Sequence, residues 1–126
     1  MSDSEPGVIV VADDDVDILE LVALTLERVG HVVHRARDGE EALELVKREH
    51  PDLAVLDVSM PKLDGFELTR RLRLDPDTST VRIVLLTALV QDADVSEGLA
   101  AGAHDYVRKP FSPAELRQRL RDLLAA

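Results

Sequence analysis

The sequence contains no cysteine and no tryptophan, and aromatic residues make up only 2% of the chain. Without cysteine, the protein can form neither a disulfide framework nor a thiolate metal site, which is compatible with a reducing compartment. With so few aromatic residues, the core has to be built mainly from valine, leucine, isoleucine and alanine. Such a core is typical of β-strands that are covered on both faces.

The sequence also lacks an apolar stretch long enough to cross a bilayer, and the opening MSDSEPG lacks the basic and apolar regions of a signal peptide. We therefore expect no membrane contact, a cytoplasmic location and a disordered acidic tail over residues 1–7. Residues 8–126 are expected to form one domain, because this length is ordinary for a single globular core. The chain ends directly after its last predicted helix, which leaves open whether it acts alone or belongs to a longer protein.

Basic residues are outnumbered, with 15 Lys and Arg against 25 Asp and Glu and a formal net charge of −10. A surface that binds nucleic acid needs clustered basic side chains to displace counterions from phosphates. The charge balance therefore predicts no direct contact with nucleic acid.

Five apolar runs rich in β-branched residues alternate with segments of helical periodicity, which predicts repeated βαβ units around a parallel sheet. The predicted strands cover residues 8–12, 31–35, 53–56, 82–87 and 105–108. The first, third and fourth are almost continuously apolar, so they are expected in the centre of the sheet. The more polar second and fifth are expected toward its edges.

Between the strands, the apolar spacing predicts helices over residues 16–29, 39–49 and 92–101, and two more that begin near residues 64 and 113. Gly30 is a stop signal for the first helix, and Pro51 closes the second. Ser112 and Glu115 form a capping box for the last helix. The fourth helix has the weakest apolar pattern, so we expect it to be the mobile element.

Acidic residues follow two of the predicted strands. Asp13 and Asp14 come directly after the first strand, and Asp57 follows the third. Ligands of open α/β sheets bind at the carboxyl ends of strands, so neighbouring first and third strands would bring these carboxylates together. Clustered carboxylates repel one another unless a cation neutralises them, and Mg²⁺ prefers oxygen ligands. The pattern predicts a magnesium site with Asp14 and Asp57 as direct ligands, although helix capping is the alternative role for Asp13 and Asp14.

Two further residues lie at strand ends that are expected nearby. Thr87 ends the fourth strand and Lys109 follows the fifth. A hydroxyl and an ammonium group would hold phosphoryl oxygens whose charge must be stabilised during in-line transfer. Each residue alone would be an ordinary strand-end or surface residue. Their arrival at one edge of the sheet favours a functional role.

Four segments occur in a specific order: DDD after VIVVA, LDVSMPKLDG around Asp57, LLTA at Thr87 and AGAHDYVRKPFSPAEL near the end. Together they resemble the receiver domains of two-component response regulators over almost the whole chain. The resemblance implies a flavodoxin-like α/β fold, with a doubly wound, five-stranded parallel sheet in the order 2-1-3-4-5 and five helices.

The resemblance also implies the roles of individual residues. Asp57 would be the phosphoacceptor, and Asp13, Asp14, Asp57 and the backbone carbonyl of Ser59 would form the magnesium site. Thr87 and Lys109 would be the switch hydroxyl and the lysine that binds the phosphoryl group.

Two further expectations come from the resemblance alone. Tyr106 would be the aromatic residue that changes orientation together with Thr87, while a half-buried edge-strand tyrosine is its ordinary alternative. The peptide bond between Lys109 and Pro110 is expected to be cis.

The function implied is a phosphorelay switch that takes a phosphoryl group from a histidine kinase, a histidine phosphotransfer protein or a small donor such as acetyl phosphate. Phosphorylation would remodel the face formed by the fourth helix, fifth strand and fifth helix, where partners or a second copy would bind. Such a domain catalyses only its own phosphorylation and dephosphorylation, so we do not expect a turnover enzyme.

Two other classes remain open. A magnesium-dependent hydrolase that works through an aspartyl phosphate usually carries a second acid two residues after the nucleophile, where this chain has Ser59. A flavin-binding or purely structural interaction module could use the same architecture. The acidic run after the first strand would repel a flavin phosphate.

Overall fold

The computed structural model describes residues 7–88, 92–109 and 112–125. Strands and helices alternate along the chain. They are β1 (Val8–Ala12), α1 (Val16–Arg28), β2 (Val32–Ala36), α2 (Gly39–Glu49), β3 (Leu53–Asp57), α3 (Gly65–Leu74), β4 (Arg82–Thr87), α4 (Asp92–Ala101), β5 (Asp105–Arg108) and α5 (Pro113–Ala125).

The strands form one parallel sheet in the order β2-β1-β3-β4-β5. This order confirms the predicted fold class, including the central positions of β1, β3 and β4 and the edge positions of β2 and β5. Because the chain reverses its direction of winding between β1 and β3, the carboxyl ends of these two neighbours border a crevice.

Apolar cores cover both faces of the sheet. One contains Val10, Leu56 and Ile83 together with residues of α2 and α3. The other contains Ile9 and Val11 together with residues of α1 and α5. Successive residues of a strand point to opposite faces, so a strand buried on both faces has to be apolar at nearly every position.

Side chains cap the helices at the positions that the sequence indicates. The Asp64 carboxylate accepts a hydrogen bond from the Glu67 backbone N–H at 2.8 Å, and the Ser112 hydroxyl accepts one from the Glu115 N–H at 3.1 Å. Both interactions satisfy N–H groups that the first turn of a helix leaves without a partner inside the helix.

The second strand lies one residue later than predicted at both ends, because the His31 backbone N–H still donates to the Leu26 carbonyl, at 3.3 Å, in the turn that follows α1. The Nδ1 atom of His31 accepts a hydrogen bond from the Gly7 N–H at 3.0 Å, and the Val32 N–H donates to the Gly7 carbonyl at 2.9 Å. Gly7, the last residue of the predicted tail, is therefore held against the sheet. The rest of that tail, residues 1–6, lies outside the described residues.

The His31 contact predicts that acid destabilises this end of the sheet. Burial lowers the pKa of His31 below its usual 6.5, so the unfolded chain binds a proton more readily than the folded one. The stabilisation is fully present above the unfolded pKa and is lost as the pH falls through the folded pKa.

We expect wild type to exceed His31→Phe in the free energy of unfolding by about 1 kcal/mol near neutral pH, because the variant lacks the hydrogen-bond acceptor. The difference should shrink toward about pH 5, as measured by urea denaturation. Both proteins carry the same carboxylates, so other titrations largely cancel. A difference that stays constant with pH would contradict the assignment.

A single guanidinium group fastens the far ends of α3 and α4 together. Arg73, in the last turn of α3, donates to the carbonyls of Ser79 and Val81 at 3.0 and 2.6 Å. It also donates twice to the Gly102 carbonyl, at 3.0 and 2.8 Å, directly after the end of α4. Arg73 therefore fixes the last turn of α4 at the end of the sheet opposite the carboxylates.

Within the part of the chain that the structure describes, no helix has the length and apolar character needed to span a membrane.

Candidate functional site

An open, polar cleft lies at the carboxyl ends of β1, β3 and β4. Its lining includes the candidate site residues after β1, β3 and β4, together with Lys109 after β5. The lining residues are Asp13, Asp14, Asp15, Asp57, Val58, Ser59, Thr87, Ala88 and Lys109. The parallel register brings them together although they are far apart in the sequence.

The three predicted carboxylates meet in this cleft. One oxygen each from Asp13, Asp14 and Asp57 lies within 4.8 Å of the others. Asp13 and Asp57 are buried, whereas Asp14 is exposed. The prediction that the acids after β1 and β3 converge is therefore confirmed.

Lys109 lies between two of these acids. Its ammonium group donates to Asp57 Oδ1 and to Asp13 Oδ2, each at 3.0 Å. The backbone N–H of Lys109 also donates to the Thr87 carbonyl at 2.8 Å, which holds the residue after β5 against the end of β4. The pairing of β5 with β4 thus places the Lys109 ammonium group beside the acidic cluster.

The charges in the cleft oppose one another in a partly dry environment. Burial raises the pKa of Asp57 above its usual range, and the neighbouring Asp13 charge adds to this, while the Lys109 hydrogen bond acts in the opposite direction. Burial by itself would lower the pKa of Lys109, but the two carboxylates outweigh it and the pKa of Lys109 is raised. Lys109 therefore stays protonated, whereas its surroundings destabilise the ionised form of Asp57.

Capping does not account for all of the acidic run. Asp15 caps α1, because its Oδ1 atom accepts hydrogen bonds from the N–H groups of Asp17 and Ile18. Asp13 accepts the Asp15 N–H through Oδ1 at 2.9 Å and Lys109 through Oδ2. Capping is thus the role of Asp15, and Asp14 and Asp57 are better placed than Asp13 to offer oxygen to a further cation.

The donor set fits a hard divalent cation. All side-chain ligands in the cluster are carboxylate oxygens, and the single ammonium does not balance three negative charges. Mg²⁺ favours such oxygen ligands and retains several waters, which an open cleft admits. Asp14 and Asp57 would hold the ion. Binding by the carbonyl of Ser59, which lines the same cleft, remains a prediction.

Thr87 and Tyr106 line a second, smaller pocket behind the cleft. It lies between β4, β5, α3 and α4, and Phe66, Gly98 and Leu99 also contribute to it. Thr87 is buried and Tyr106 is half-buried, packed against the apolar core. The two predicted switch residues therefore share one space, although their roles remain predictions. The predicted cis bond at Pro110 lies outside the described residues.

The sequence analysis did not single out two glycines that lie against the segment connecting β3 to α3. Gly39 and Gly65 are the first residues of α2 and α3, and each faces the backbone that follows Asp57. The only sequence signal is that each glycine directly follows a capping aspartate. A helix start so marked is ordinary, and the close approach becomes visible only in three dimensions.

Comparison with known proteins gives a consistent family. The family profile described as "Response regulator receiver domain" matches residues 9–121. The probable transcriptional regulator ycf27 of Cyanophora paradoxa is 49% identical over 116 residues, which cover 92% of this chain and 47% of that protein. The DNA-binding dual master transcriptional regulator RpaA of Synechocystis sp. is 42% identical over 92% of this chain and 48% of its own length.

Among solved structures, the receiver domain of the sensor histidine kinase PA1611 of Pseudomonas aeruginosa PAO1 matches with a TM-score of 0.87 and 30% identity. The match covers 97% of this chain and 100% of that one. That structure is described with a magnesium ion coordinated in its active-site cleft.

The chain spans about half the length of the curated relatives it matches. Their names do not support the prediction that this protein has no direct contact with nucleic acid, because they are transcriptional regulators and one is called DNA-binding. The net charge of −10 was the basis of that prediction, and it describes only the 126 residues of this sequence.

Proposed function

The chain belongs to the response regulator receiver domain family, and from this premise we propose that it is a phosphoacceptor switch in which Asp57 receives a phosphoryl group. One observation supports this most strongly. The Lys109 ammonium lies 3.0 Å from Asp57 and 3.0 Å from Asp13, inside an acidic cleft at the carboxyl end of the sheet. A nucleophile with a fixed cation beside it is what phosphoryl transfer to a carboxylate needs.

In the proposed reaction, a carboxylate oxygen of Asp57 attacks the phosphorus atom of a phosphohistidine or of acetyl phosphate. The new bond joins phosphorus to the Asp57 oxygen. The bond from phosphorus to the imidazole nitrogen, or to the acetate oxygen, breaks and its electron pair leaves with the donor group. Lys109 stabilises the charge on the transferred oxygens, because its raised pKa keeps it protonated.

A Mg²⁺ ion bound at Asp14 and Asp57, with the Ser59 carbonyl as a third ligand, would neutralise developing charge on the phosphoryl oxygens. Asp13 contributes negative charge to the site and orients Lys109 through the hydrogen bond to Oδ2. The carboxylate cluster and the magnesium ion in the related receiver domain of Pseudomonas aeruginosa support this assignment.

The product would carry about two negative charges where Asp57 carried one. We expect its oxygens to draw the Thr87 hydroxyl toward the cleft, and thereby to open space for Tyr106 in the pocket that both residues line. The face formed by α4, β5 and α5 would change in consequence. Moving such an equilibrium from mostly inactive to mostly active requires a preference of about 5.5 kcal/mol.

We further propose that a histidine kinase or a histidine phosphotransfer protein supplies the phosphoryl group in a cytoplasmic setting. The remodelled face would then bind a partner or a second copy. Arg119 currently ties α5 to β5 across this face, donating to Asp105 at 2.7 Å and to the Tyr106 carbonyl at 2.8 Å. Turnover of unrelated phosphate esters is not part of the proposal.

Intact-mass spectrometry after incubation with acetyl phosphate tests the function. With Mg²⁺ present we expect the mass of one added phosphoryl group, and with excess chelator we expect the rate of addition to fall by at least about 100-fold. The chelator control must leave the circular dichroism spectrum unchanged. Equal rates of addition with and without the metal would refute the magnesium-dependent mechanism.

A further inference from the structure

The β3–α3 loop, residues 58–64, connects the proposed phosphoacceptor to α3 and carries Ser59. It is fixed at its start by two backbone hydrogen bonds. The Val58 N–H donates to the Leu86 carbonyl at 3.0 Å, and the Gly65 N–H donates to the Val58 carbonyl at 2.9 Å. Any displacement of this loop therefore moves a proposed magnesium ligand and the peptide next to Asp57.

Gly65 allows α3 to rest directly on that peptide. A Cβ atom at position 65 would lie 2.6 Å from the Asp57 carbonyl oxygen and 3.0 Å from the Val58 Cα atom. Both are backbone atoms, so neither can rotate away as the end of a side chain could. A methyl group at this position would have to push either α3 or the Asp57–Val58 peptide out of place.

Gly39 allows the same loop to rest on α2. A Cβ atom at position 39 would overlap the Leu63 carbonyl oxygen and lie 2.5 Å from the Leu63 Cβ atom. Around this contact, the Gly39 N–H donates to the Pro61 carbonyl at 3.5 Å, and the Lys62 ammonium lies 3.5 Å from Asp38. The loop is thus held from two sides by the first residues of two helices.

These glycines are not needed for backbone freedom or for capping. Among the described residues, the glycines with positive φ are Gly30 and Gly102. The capping at both helices is done by the preceding aspartates, each of which accepts a backbone hydrogen bond at 2.8 Å. The remaining reason for glycine at these two positions is that another stretch of backbone approaches closely, which a Cβ atom would prevent.

We propose that Gly39 and Gly65 are positioning residues for phosphoryl transfer: their missing side chains let α2 and α3 hold the β3–α3 loop in the position from which the Ser59 carbonyl and Asp57 would bind Mg²⁺. This inference rests on the proposed function. Displacements well below 1 Å matter here, because a misplacement of about 1 Å can cost about 100-fold in rate.

The test uses the full chain with Gly65→Ala and, separately, Gly39→Ala. Mg²⁺ affinity is measured by titration calorimetry, and the rate of phosphorylation is measured over a range of acetyl phosphate concentrations. We expect each variant to bind Mg²⁺ about 10-fold more weakly and to show a maximal rate lower by about 10-fold or more. The wild-type circular dichroism spectrum should be retained.

Val22→Ala is the matched control. Val22 is buried in the core on the opposite face of the sheet, so its truncation lowers stability without touching the loop. We expect wild-type Mg²⁺ affinity and wild-type maximal rate for this variant. A general loss of stability would instead affect all three variants alike, and that result would overturn the proposal.

The remaining outcomes also decide the question. Wild-type Mg²⁺ affinity and rate in both glycine variants would refute a positioning role. Failure of both variants to fold would refute it too, because the contacts would then serve the fold as a whole. If the wild-type chain itself takes up no phosphate, the proposed function fails, while the Mg²⁺ affinities still report whether the glycines position the loop.

Discussion

Asp57→Asn is expected to reduce phosphoryl uptake from acetyl phosphate by at least about 100-fold, because an amide cannot replace a carboxylate as the attacking nucleophile. The substitution keeps the shape of the side chain and leaves the pairing of Lys109 with Asp13 available. Intact-mass spectrometry with Mg²⁺ present measures the effect directly.

The same variant should not lose stability when Mg²⁺ is absent. Burial and the Asp13 charge raise the pKa of Asp57. Keeping Asp57 ionised near neutral pH therefore lowers the stability of the folded protein relative to the unfolded chain. Removing that charge relieves repulsion and offsets the weakened contact to Lys109. We therefore expect a melting temperature at or above that of wild type in the presence of chelator.

Asp52→Asn provides the matched control. Asp52 lies at the opposite end of the sheet, where its Oδ2 atom accepts a hydrogen bond from the Val8 N–H at 2.9 Å, and an asparagine oxygen can accept the same bond. Phosphoryl uptake should remain at the wild-type rate. Undiminished uptake by Asp57→Asn, with the phosphoryl group mapped to another residue, would refute the assignment of the phosphoacceptor.

Lys109→Met should produce the second large effect, on catalysis and on stability together. Methionine is similar in length but carries no charge, so the variant loses the cation that stabilises the transferred oxygens. We expect phosphorylation to slow by roughly 100- to 1,000-fold, the range seen when one preorganised donor is removed. The rate is measured with saturating Mg²⁺, so that weaker metal binding does not contribute.

Without divalent cations, Lys109→Met should also lower the free energy of unfolding by roughly 3 kcal/mol, because it leaves buried Asp13 and Asp57 without their counter-charge. Added Mg²⁺ should recover much of this loss, and so should the second substitution Asp57→Asn. Urea denaturation with and without Mg²⁺ measures both effects.

Lys47→Met is the corresponding surface control. Its ammonium lies 4.0 Å from Asp75 with the lysine side chain exposed, and such ion pairs contribute at most about 1 kcal/mol. The control should therefore change neither the rate of phosphorylation nor the response to Mg²⁺. A Lys109→Met variant that behaved like Lys47→Met would contradict the role given to Lys109.

The sequence was most informative where burial allows little choice. Strands β1, β4 and β5 and helices α2 and α4 begin and end at the predicted residues. Continuous apolar runs leave few alternatives at β1 and β4, whereas the matching bounds of the more polar β5 and of the weakly patterned α4 do not follow from burial. The largest shift concerns β2, an edge strand with polar residues, which lies one residue later than predicted because the His31 N–H bonds back to the Leu26 carbonyl in α1.

The carboxylate cluster could be predicted because parallel strands deliver their last residues to one edge of the sheet. The order of the strands, and the roles of Ser59 and Tyr106, came from family resemblance, since nothing in their local sequence distinguishes them. For Thr87, the strand-end position predicted a hydroxyl that binds phosphoryl oxygens, and the resemblance added its role as a switch. The sequence alone gives no sign of the contacts that Arg73 makes. This arginine stands in the basic segment RRLR of α3, and its carbonyl partners are brought together only by the folded chain.

Because Arg73 holds the Gly102 carbonyl, we expect a tilt of α4 to be centred near its carboxyl end. A helix of 10 residues is about 15 Å long, so tilting it by about 10° about that point carries its first turn through roughly 2.6 Å while its last turn hardly moves. If phosphorylation displaces the residues beside Thr87, as we propose, we expect the first turn of α4 to move much further than its last turn. This difference requires the carboxyl end of α4 to stay in place, and two guanidinium N–H groups of Arg73 hold it there through the Gly102 carbonyl.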